Sequence, residues 1–270
     1  MTKPPAIKKI GAQHKHTRIL IYGDPGAGKT TLWGTAGSRG LVIRPPIEHT
    51  DSIINTGADE WVASNWDEME DIKNWARSEG FKDYEWMFLD SVSLMQDVTL
   101  DDIWQTVIAD KPHRLAAWYD KPEYGRNMGR LAEWFRYMTG CDLFHFGVSA
   151  HPFWAYFRET DEDGEDVNKL MPWIQGKNMP NKICGMMQMV GYLDVKSRKD
   201  GDDYRRLRFK GNENFYGKDV FNCFNNGTLI NPTLPKIEQA VTAARAKKKP
   251  AGGTRSRAKV TTRRVKRSTS

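Results

Sequence analysis

The amino-acid sequence predicts an α/β fold in which a mostly parallel central sheet is flanked by helices, with antiparallel hairpins toward the C-terminal side. Short apolar segments typical of buried strands alternate with segments of helical periodicity up to about residue 150, as in parallel strands joined by helical crossovers. A glycine-rich loop connects the first strand to the first helix. After His151, two acidic turn sequences separate segments of alternating polarity, which favours hairpins.

Four short segments have the apolar, β-rich composition of buried strands. The second of them is stopped by Pro45 and Pro46, because proline lacks the amide hydrogen that a central strand donates. The predicted strands are residues 17–22, 40–44, 86–89 and 143–149.

A helix is predicted in each interval between these strands. The first begins at Lys29, directly after the glycine-rich loop, and ends at Gly37. In the second, over residues 66–78, apolar side chains recur at helical spacing, and Gly80 ends the segment. The third precedes the last strand. Its apolar face consists of Met128, Leu131, Phe135 and Met138.

The positive charge of the chain is concentrated at its C-terminal end. The formal net charge is +7, yet residues 245–270 contain 11 of the 41 basic residues and no acid, so the rest of the chain is mildly acidic. Such a segment cannot bury enough apolar surface to offset the entropy of ordering. The predicted organisation is therefore an N-terminal arm at 1–16, one core at 17–235 and a disordered basic tail at 236–270.

A cationic tail of this kind suits the phosphate backbone of a nucleic acid, which it would bind through counterion release; a merely solubilising tail is the alternative. No apolar run approaches the roughly 20 residues that span a bilayer, and the N-terminus lacks the apolar region of a secretory leader. Three scattered cysteines predict neither a disulfide framework nor a thiolate metal site. They are Cys141, Cys184 and Cys223.

Residues 23–30, Gly-Asp-Pro-Gly-Ala-Gly-Lys-Thr, match the Walker A pattern in the context it requires, between a strand and a helix. The glycines allow backbone amides to surround phosphate oxygens, and the helix N-terminus adds a partial positive charge. Lys29 would reach the β- and γ-phosphates, and the Thr30 hydroxyl would ligate Mg²⁺. The sequence thus predicts ATP and Mg²⁺ as cofactors. The predicted nucleotide-binding residues are Gly23, Asp24, Pro25, Gly26, Ala27, Gly28, Lys29, Thr30 and Thr31.

Acidic residues after two strands are candidates for the metal and for catalysis. Asp90 follows the apolar strand at 86–89, which places its carboxylate at the same sheet edge as the glycine-rich loop, where it would hold Mg²⁺. Hydrolysis also needs a group that orients the attacking water, and the residue after Asp90 is Ser91 rather than an acid. Glu48 is the leading candidate for this base, with Asp51 as the alternative.

The strand at 143–149 ends in polar residues that could contact the γ-phosphate and report its loss. His151 fits this role, and Ser149 is the alternative. His145 lies between two phenylalanines and is expected to pack in the core.

Together these residues resemble the core of a RecA-type ATPase. The resemblance rests on the Walker A sequence, on Asp90-Ser91-Val92, since RecA-like recombinases have Asp-Ser in that place, and on the Val-Ser-Ala-His sequence ending at His151. It covers about residues 17–225, and the compact size is similar to that of bacteriophage single-strand annealing ATPases. The resemblance implies a RecA-like P-loop NTPase core, with Glu48 as the water-activating acid and His151 at the γ-phosphate.

The resemblance also implies a DNA-binding loop at residues 152–180. Aromatic and basic residues are interleaved there, which suits stacking on unpaired bases, although five acids at 161–166 would repel phosphate and the aromatics could equally form a hairpin core. In RecA-like rings and filaments, basic residues near the end of the core reach the neighbouring nucleotide, and Lys210 and Lys218 occupy matching positions. The candidate DNA-binding residues are Trp154, Arg158, Lys169, Trp173 and Lys177.

The first functional hypothesis is a DNA-stimulated ATPase that binds single-stranded DNA and promotes annealing or strand exchange in phage recombination or replication. Its expected partners are single-stranded DNA, further copies of the chain in a ring or filament, and a single-strand-binding protein, with no membrane; the expected location is the cytoplasm, that of the host if the chain is phage-encoded. One alternative is an accessory scaffold of replication or packaging. The other is a P-loop small-molecule kinase, with Arg126 and Arg130 near the phosphates.

Overall fold

The computed structural model describes residues 15–114, 119–160, 166–198 and 201–247. Most of the predicted N-terminal arm, the acidic turn at 161–165 and residues 248–270 of the predicted tail lie outside these ranges. Among the described residues, no helix combines the length and the apolar character that crossing a membrane requires.

The chain forms eleven strands and six helices within the described residues. The strands are β1 (Arg18–Tyr22), β2 (Gly40–Arg44), β3 (Asp59–Val62), β4 (Trp86–Leu89), β5 (His145–Ala150), β6 (Pro152–Thr160), β7 (Asp166–Pro172), β8 (Met189–Ser197), β9 (Asp203–Arg208), β10 (Lys218–Asp219) and β11 (Thr228–Ile230). The helices are α1 (Lys29–Gly34), α2 (Trp66–Arg77), α3 (Val92–Asp110), α4 (Lys121–Gly140), α5 (Met179–Met186) and α6 (Leu234–Lys247).

The main sheet has the strand order β11-β9-β8-β1-β5-β4-β2-β3, with β10 paired to β8. The six strands from β8 to β3 are parallel to their neighbours, whereas β9, β10 and β11 are antiparallel additions at one side. Strands β6 and β7 form a separate antiparallel hairpin. Because β5 lies between β1 and β4, this is the RecA-like P-loop arrangement, and the predicted fold class is confirmed, including the hairpins.

Alternate side chains of the central strands enter two hydrophobic cores, one on each face of the sheet. Leu20 and Tyr22 of β1 face the larger core, which α2, α3, α4 and α5 cover. Ile19 and Ile21 face the second core, which α1 and α6 cover. His145 packs against this second side with its ring stacked on Trp86, at 4.5 Å between centroids, as the sequence predicted.

Several element boundaries differ from the predicted ones. Helix α1 ends at Gly34 instead of Gly37, and the fourth predicted strand begins at His145 instead of residue 143. The long helix α3 was not predicted, because buried polar side chains interrupt its apolar face; these include Ser93, Gln96 and Thr99.

The predicted boundary between core and tail at residue 235 is wrong. Helix α6 continues to Lys247, and its apolar residues Leu234, Ile237 and Val241 recur at helical spacing and are buried in the second core. Glu238 on the same helix accepts hydrogen bonds from Arg39 and from the Trp86 indole. The helix carries four charged residues among its 14, so the strongly basic run starts only at its end, and the boundary at residue 235 lies one helix too early.

The role of α6 in the core can be tested with Ile237→Ala. Because Ile237 is fully buried, we expect the variant to lose about 2–4 kcal/mol of unfolding free energy in urea titrations. The matched control is Gln239→Ala, which changes an exposed residue of the same helix and should cost less than about 0.5 kcal/mol. Equal stability of the two variants would show that α6 does not belong to the cooperative core.

Candidate nucleotide site at the carboxyl edge of the sheet

The loop between β1 and α1 has the backbone shape of a phosphate-binding turn. Gly26 and Gly28 have φ values of 79° and 96°, in the left-handed region that favours glycine. A side chain at Gly23 would collide with the Leu193 carbonyl of β8, so this position also requires glycine. Gly28 is also the N-cap of α1 and forms no side-chain hydrogen bond with the first turn, so the amides of that turn have no cap and suit an anion.

Lys29 is buried inside this loop, with 7% of its surface exposed. Its ammonium donates hydrogen bonds to the carbonyls of Gly23 at 2.8 Å and Asp24 at 3.1 Å. Burial lowers the pKa of Lys29, while the negative charges of Asp90 and Glu48 act in the opposite direction. The sequence-predicted cation thus lies in the same charged cluster as the two predicted acids.

The Asp90 carboxylate is the most buried charge of the cluster, with 1% of the residue exposed. Its Oδ1 accepts a hydrogen bond from the Ser149 hydroxyl, and the Thr30 side chain forms another hydrogen bond with the carboxylate. Its Oδ2 is buried and has no hydrogen-bond partner within the described part of the chain. Burial raises the pKa of Asp90.

A hard cation such as Mg²⁺ fits this donor set. Carboxylate and hydroxyl oxygens are the ligands that Mg²⁺ prefers, and it is held by few protein ligands together with phosphate oxygens. The unpartnered Oδ2 of Asp90 would gain the compensating charge that its burial otherwise denies it. Thr30 and Asp90 are the residues that could hold the ion.

The chain turns sharply after β2 and brings Glu48 to the same place. The Glu48 amide donates to the Pro45 carbonyl at 3.1 Å, and Arg44 donates to the Glu48 carbonyl at 2.9 Å. The Glu48 Oε2 atom accepts a hydrogen bond of 3.1 Å from the Ser91 hydroxyl. Burial, followed by the negative charge of Asp90, raises the pKa of Glu48, as suits a general base.

Asp51, the alternative base, lies elsewhere. It is exposed and lines a surface cavity of about 320 Å³ together with Arg44 and Glu60. The negative charges that oppose the lowering of the Lys29 pKa are those of Asp90, Glu48 and Asp24. The structure therefore brings Glu48, and not Asp51, into the charged cluster.

Both candidates for the γ-phosphate sensor lie at the end of β5. Ser149 contacts Asp90 directly. His151 is half-buried; burial and the positive charge of Lys29 lower its pKa, and Asp90 opposes this shift. The His151 ring stacks on Trp173 at 6.3 Å between centroids.

The hairpin β6–β7 projects from this end of the sheet. Phe153 and Trp154 at its base are 53% and 56% exposed, so these two aromatics are surface residues and not a hairpin core. The Tyr22 hydroxyl at the end of β1 lies within hydrogen-bond distance of two carbonyls, those of Tyr216 at 2.6 Å and of Leu170 in β7 at 2.9 Å, which places the hairpin next to the end of β1. Of the other candidate DNA-binding residues, Lys177 is exposed, Lys169 and Trp173 are half-buried, and the Arg158 side chain lies outside the described part.

Four basic residues named from the sequence lie away from the cluster. Lys218 donates to the Cys184 and Gly185 carbonyls of its own chain, at 3.2 and 3.1 Å, and Lys210 is exposed. Arg130 pairs with Asp102 at 3.0 Å and lies over the Trp66 ring, and its neighbour Arg126 is exposed on the same helix α4. These partners of Arg130 do not support the phosphate-contacting role that a kinase would require.

Sequence reasoning missed two residues that contact the site or its surroundings. Arg205 of β9 donates from Nε to the Ala27 carbonyl of the glycine-rich loop at 3.1 Å. Ser93 accepts from the His151 amide at 2.9 Å and donates to the Trp173 carbonyl at 2.8 Å. The register of β9 places Arg205 beside the glycine-rich loop, and the start of α3 places Ser93 beside His151. No local sequence pattern marks either residue.

A family model described as an AAA domain, AAA_24, matches residues 15–221, which is more than half of the chain. The chain belongs to this AAA domain family. The family is one of P-loop ATPases, in agreement with the Walker A loop and the acid at the end of β4. No curated protein matches the sequence.

Solved structures similar to this AAA domain chain are only distantly related to it. The flagellar accessory protein FlaH from Methanocaldococcus jannaschii is 11% identical, covering 81% of this chain and 92% of its own, with a TM-score of 0.37. A KaiC-like protein from Pyrococcus horikoshii is 12% identical, covering 80% and 90%, with a TM-score of 0.40. The ATPase DotB from Legionella pneumophila is 12% identical, covering 73% and 47%, with a TM-score of 0.31.

The assignment of the base can be tested with Glu48→Gln. The amide preserves the shape of the side chain but cannot take a proton from water, so we expect nucleotide affinity to change less than about twofold while hydrolysis falls by about 100-fold or more. Asp51→Asn is the matched control and should hydrolyse ATP at the wild-type rate. Full turnover in Glu48→Gln together with loss in Asp51→Asn would transfer the role to Asp51.

Proposed function

We propose that this AAA domain protein binds and hydrolyses Mg-ATP, that it binds single-stranded DNA, and that it promotes annealing or strand exchange in phage recombination or replication. The observation that carries the ATPase part of the proposal is the arrangement around Asp90: its carboxylate contacts Thr30 and Ser149, with Lys29 and Glu48 in the same cluster. In this proposal Lys29 is the cation that contacts the phosphates, and Thr30 and Asp90 are the metal ligands. Ser149 is the γ-phosphate sensor, and Glu48 is the base.

Each residue of the set has a distinct task in hydrolysis. The amides at the start of α1 and the Lys29 ammonium would bind the phosphates, and Thr30 and Asp90 would hold the metal ion, which would supply positive charge to the phosphate oxygens. The Glu48 carboxylate orients a water molecule and accepts its proton. Ser91 fixes the direction of that carboxylate through its hydrogen bond to Oε2.

The surface next to this site supports binding of unpaired bases. Exposed Phe153 lines a cavity of about 600 Å³ together with Trp173 and Lys177, and Trp154, the next residue of β6, is exposed on the opposite face of the hairpin. Aromatic faces stack on bases of any sequence, and neighbouring cations neutralise the backbone. The basic residues of 245–270 would add a salt-dependent, sequence-independent contribution to DNA affinity.

A short chain of hydrogen bonds connects the two surfaces. Helix α3 begins two residues after Asp90, and its Ser93 bonds both the His151 amide and the Trp173 carbonyl. One turn later, the Gln96 Oε1 atom accepts from the Gln175 amide at 2.7 Å. Any shift of β5 or α3 on loss of the γ-phosphate would move residues 173–175, and ATP would thereby act as a ligand that favours the DNA-binding state.

We further propose that the protein acts as a homo-oligomer, a ring or filament, in the cytoplasm, with single-stranded DNA and a single-strand-binding protein as partners. A trans contact to a neighbouring nucleotide is better supplied by exposed Lys210 than by Lys218, whose ammonium is bonded within its own chain.

The DNA-binding part is tested by steady-state ATP hydrolysis with and without single-stranded DNA, in a chain truncated after Lys247 so that the tail cannot contribute. We expect DNA to stimulate turnover. Trp154→Ala should raise the DNA concentration for half-maximal stimulation about fivefold or more, because one stacked base contributes about 1–3 kcal/mol, and should leave the DNA-free rate unchanged.

The matched control is Tyr124→Ala, which removes an exposed aromatic side chain of α4 that is not part of the hairpin. Lys29→Ala should show no turnover with or without DNA. If turnover of the truncated wild-type chain is indifferent to single-stranded DNA, the DNA-binding proposal is wrong.

A further inference from the structure

Arg205 lies against the outside of the phosphate-binding loop. Its Nε atom donates to the Ala27 carbonyl at 3.1 Å, and its Cδ lies only 3.0 Å from the place that a Cβ of Gly28 would occupy. The guanidinium group therefore packs on the backbone at the point where α1 begins.

The backbone of Arg205 is fixed on both sides. In the sheet, Arg205 is opposite Val195 of β8, while Tyr192 of β8 is opposite Tyr22, the last residue of β1. Arg205 is therefore level with the loop that follows β1. On its other side, the Arg205 amide donates to the Asn231 side chain at 3.0 Å and the Asn231 amide donates to the Arg205 carbonyl at 2.8 Å.

The remaining donors of Arg205 are available to a ligand. Its neighbours on the strand, Arg206 and Arg208, both pair with Asp194, at 2.7 and 3.1 Å. In the part of the chain that the structure describes, the Arg205 side chain donates only through Nε, and neither of its two terminal nitrogens has an acceptor. An arginine that is exposed, held in place and adjacent to a phosphate-binding loop has the donor geometry for an anionic oxygen.

The strand order indicates which end of the nucleotide Arg205 faces. Asp90 and Glu48 follow β4 and β2, which lie on one side of β1, whereas β8 and β9 lie on the other side. The γ-phosphate must be near the metal ligand and the base. Arg205 approaches from the opposite side, where the α-phosphate and the nucleoside would be.

We propose that Arg205 is a nucleotide-binding residue whose terminal nitrogens donate to the α-phosphate of the bound nucleotide. This inference rests on the proposed function, because it requires ATP in the loop at residues 23–30. Since ATP and ADP share the α-phosphate, Arg205 contributes equally to the binding of both and does not act on the reacting γ-phosphate.

The test is the dissociation constant of Mg-ADP and of a non-hydrolysable Mg-ATP analogue for the full chain. Arg205→Ala should weaken both by the same factor, roughly tenfold or more, which corresponds to the loss of one charge-assisted hydrogen bond. In steady state, the KM for ATP should rise while kcat changes less than about twofold. Arg205→Lys keeps the positive charge but lacks the planar guanidinium group with its two terminal nitrogens, so it should give an intermediate loss of affinity.

The matched control is Arg198→Ala, which removes an arginine of the same β8–β9 region that lies over the Tyr204 ring. Its affinities should equal those of the wild type. Unchanged affinities in Arg205→Ala would overturn the inference, and so would a loss confined to the ATP analogue with a fall in kcat, which would place Arg205 at the γ-phosphate.

Lys29→Ala separates this inference from the proposed function. If that variant binds nucleotide as well as the wild type, the proposed nucleotide site itself is wrong. If it loses binding while Arg205→Ala does not, the nucleotide site stands and only the role of Arg205 is wrong. Thermal unfolding of each variant without nucleotide verifies that the variant folds. If Arg205→Ala does not fold, the affinities of Arg205→Lys are compared with those of the wild type instead.

Discussion

The buried carboxylate of Asp90 is the constraint on which the arrangement of the site depends. A carboxylate that is taken out of water must be compensated by hydrogen bonds or by positive charge. Here the Ser149 and Thr30 hydroxyls supply hydrogen bonds, Lys29 supplies charge, and Oδ2 is left without a partner in the described residues. Ser149 comes from β5, whereas Lys29 and Thr30 come from the first turn of α1, which follows β1, so the pairing of β1 and β4 with β5 is what assembles them.

Asp90 is also connected to two neighbouring segments at the carboxyl edge of the sheet, the chain after β2 and helix α3. Asp90 is bonded through its amide to the Ile43 carbonyl of β2, at 2.8 Å, and the chain after β2 folds back to place Glu48 against Ser91. In the other direction, α3 starts immediately after Asp90 and holds the segment at 173–175 beside the exposed aromatics of the hairpin. Under the proposed function, binding or loss of the metal-bound phosphate at Asp90 would reach both segments through these short covalent and hydrogen-bonded connections.

The sequence predicted those features that local patterns specify. The four apolar strands, the Walker A loop and the acid after β4 are each encoded by consecutive residues, and the structure has them where they were expected. Helix α3 was not predicted because buried polar side chains interrupt its apolar spacing, and α6 was not predicted because its short apolar face directly precedes the basic tail and was counted with it. The choice between Glu48 and Asp51 depended on a turn after two prolines, and the position of Arg205 depends on the register of β8 and β9, which no local pattern specifies.

The most direct test of the central claim is to compare the unfolding free energy of the wild type and Asp90→Asn, with and without Mg²⁺ and a non-hydrolysable ATP analogue. Without ligands, the variant should be as stable as the wild type or more stable, because it removes a buried charge that is only partly compensated. At a ligand concentration of 100 times Kd, the wild type should gain about 2.7 kcal/mol and the variant much less. A variant that is less stable without ligands and keeps the full stabilisation by Mg²⁺ and nucleotide would contradict the account.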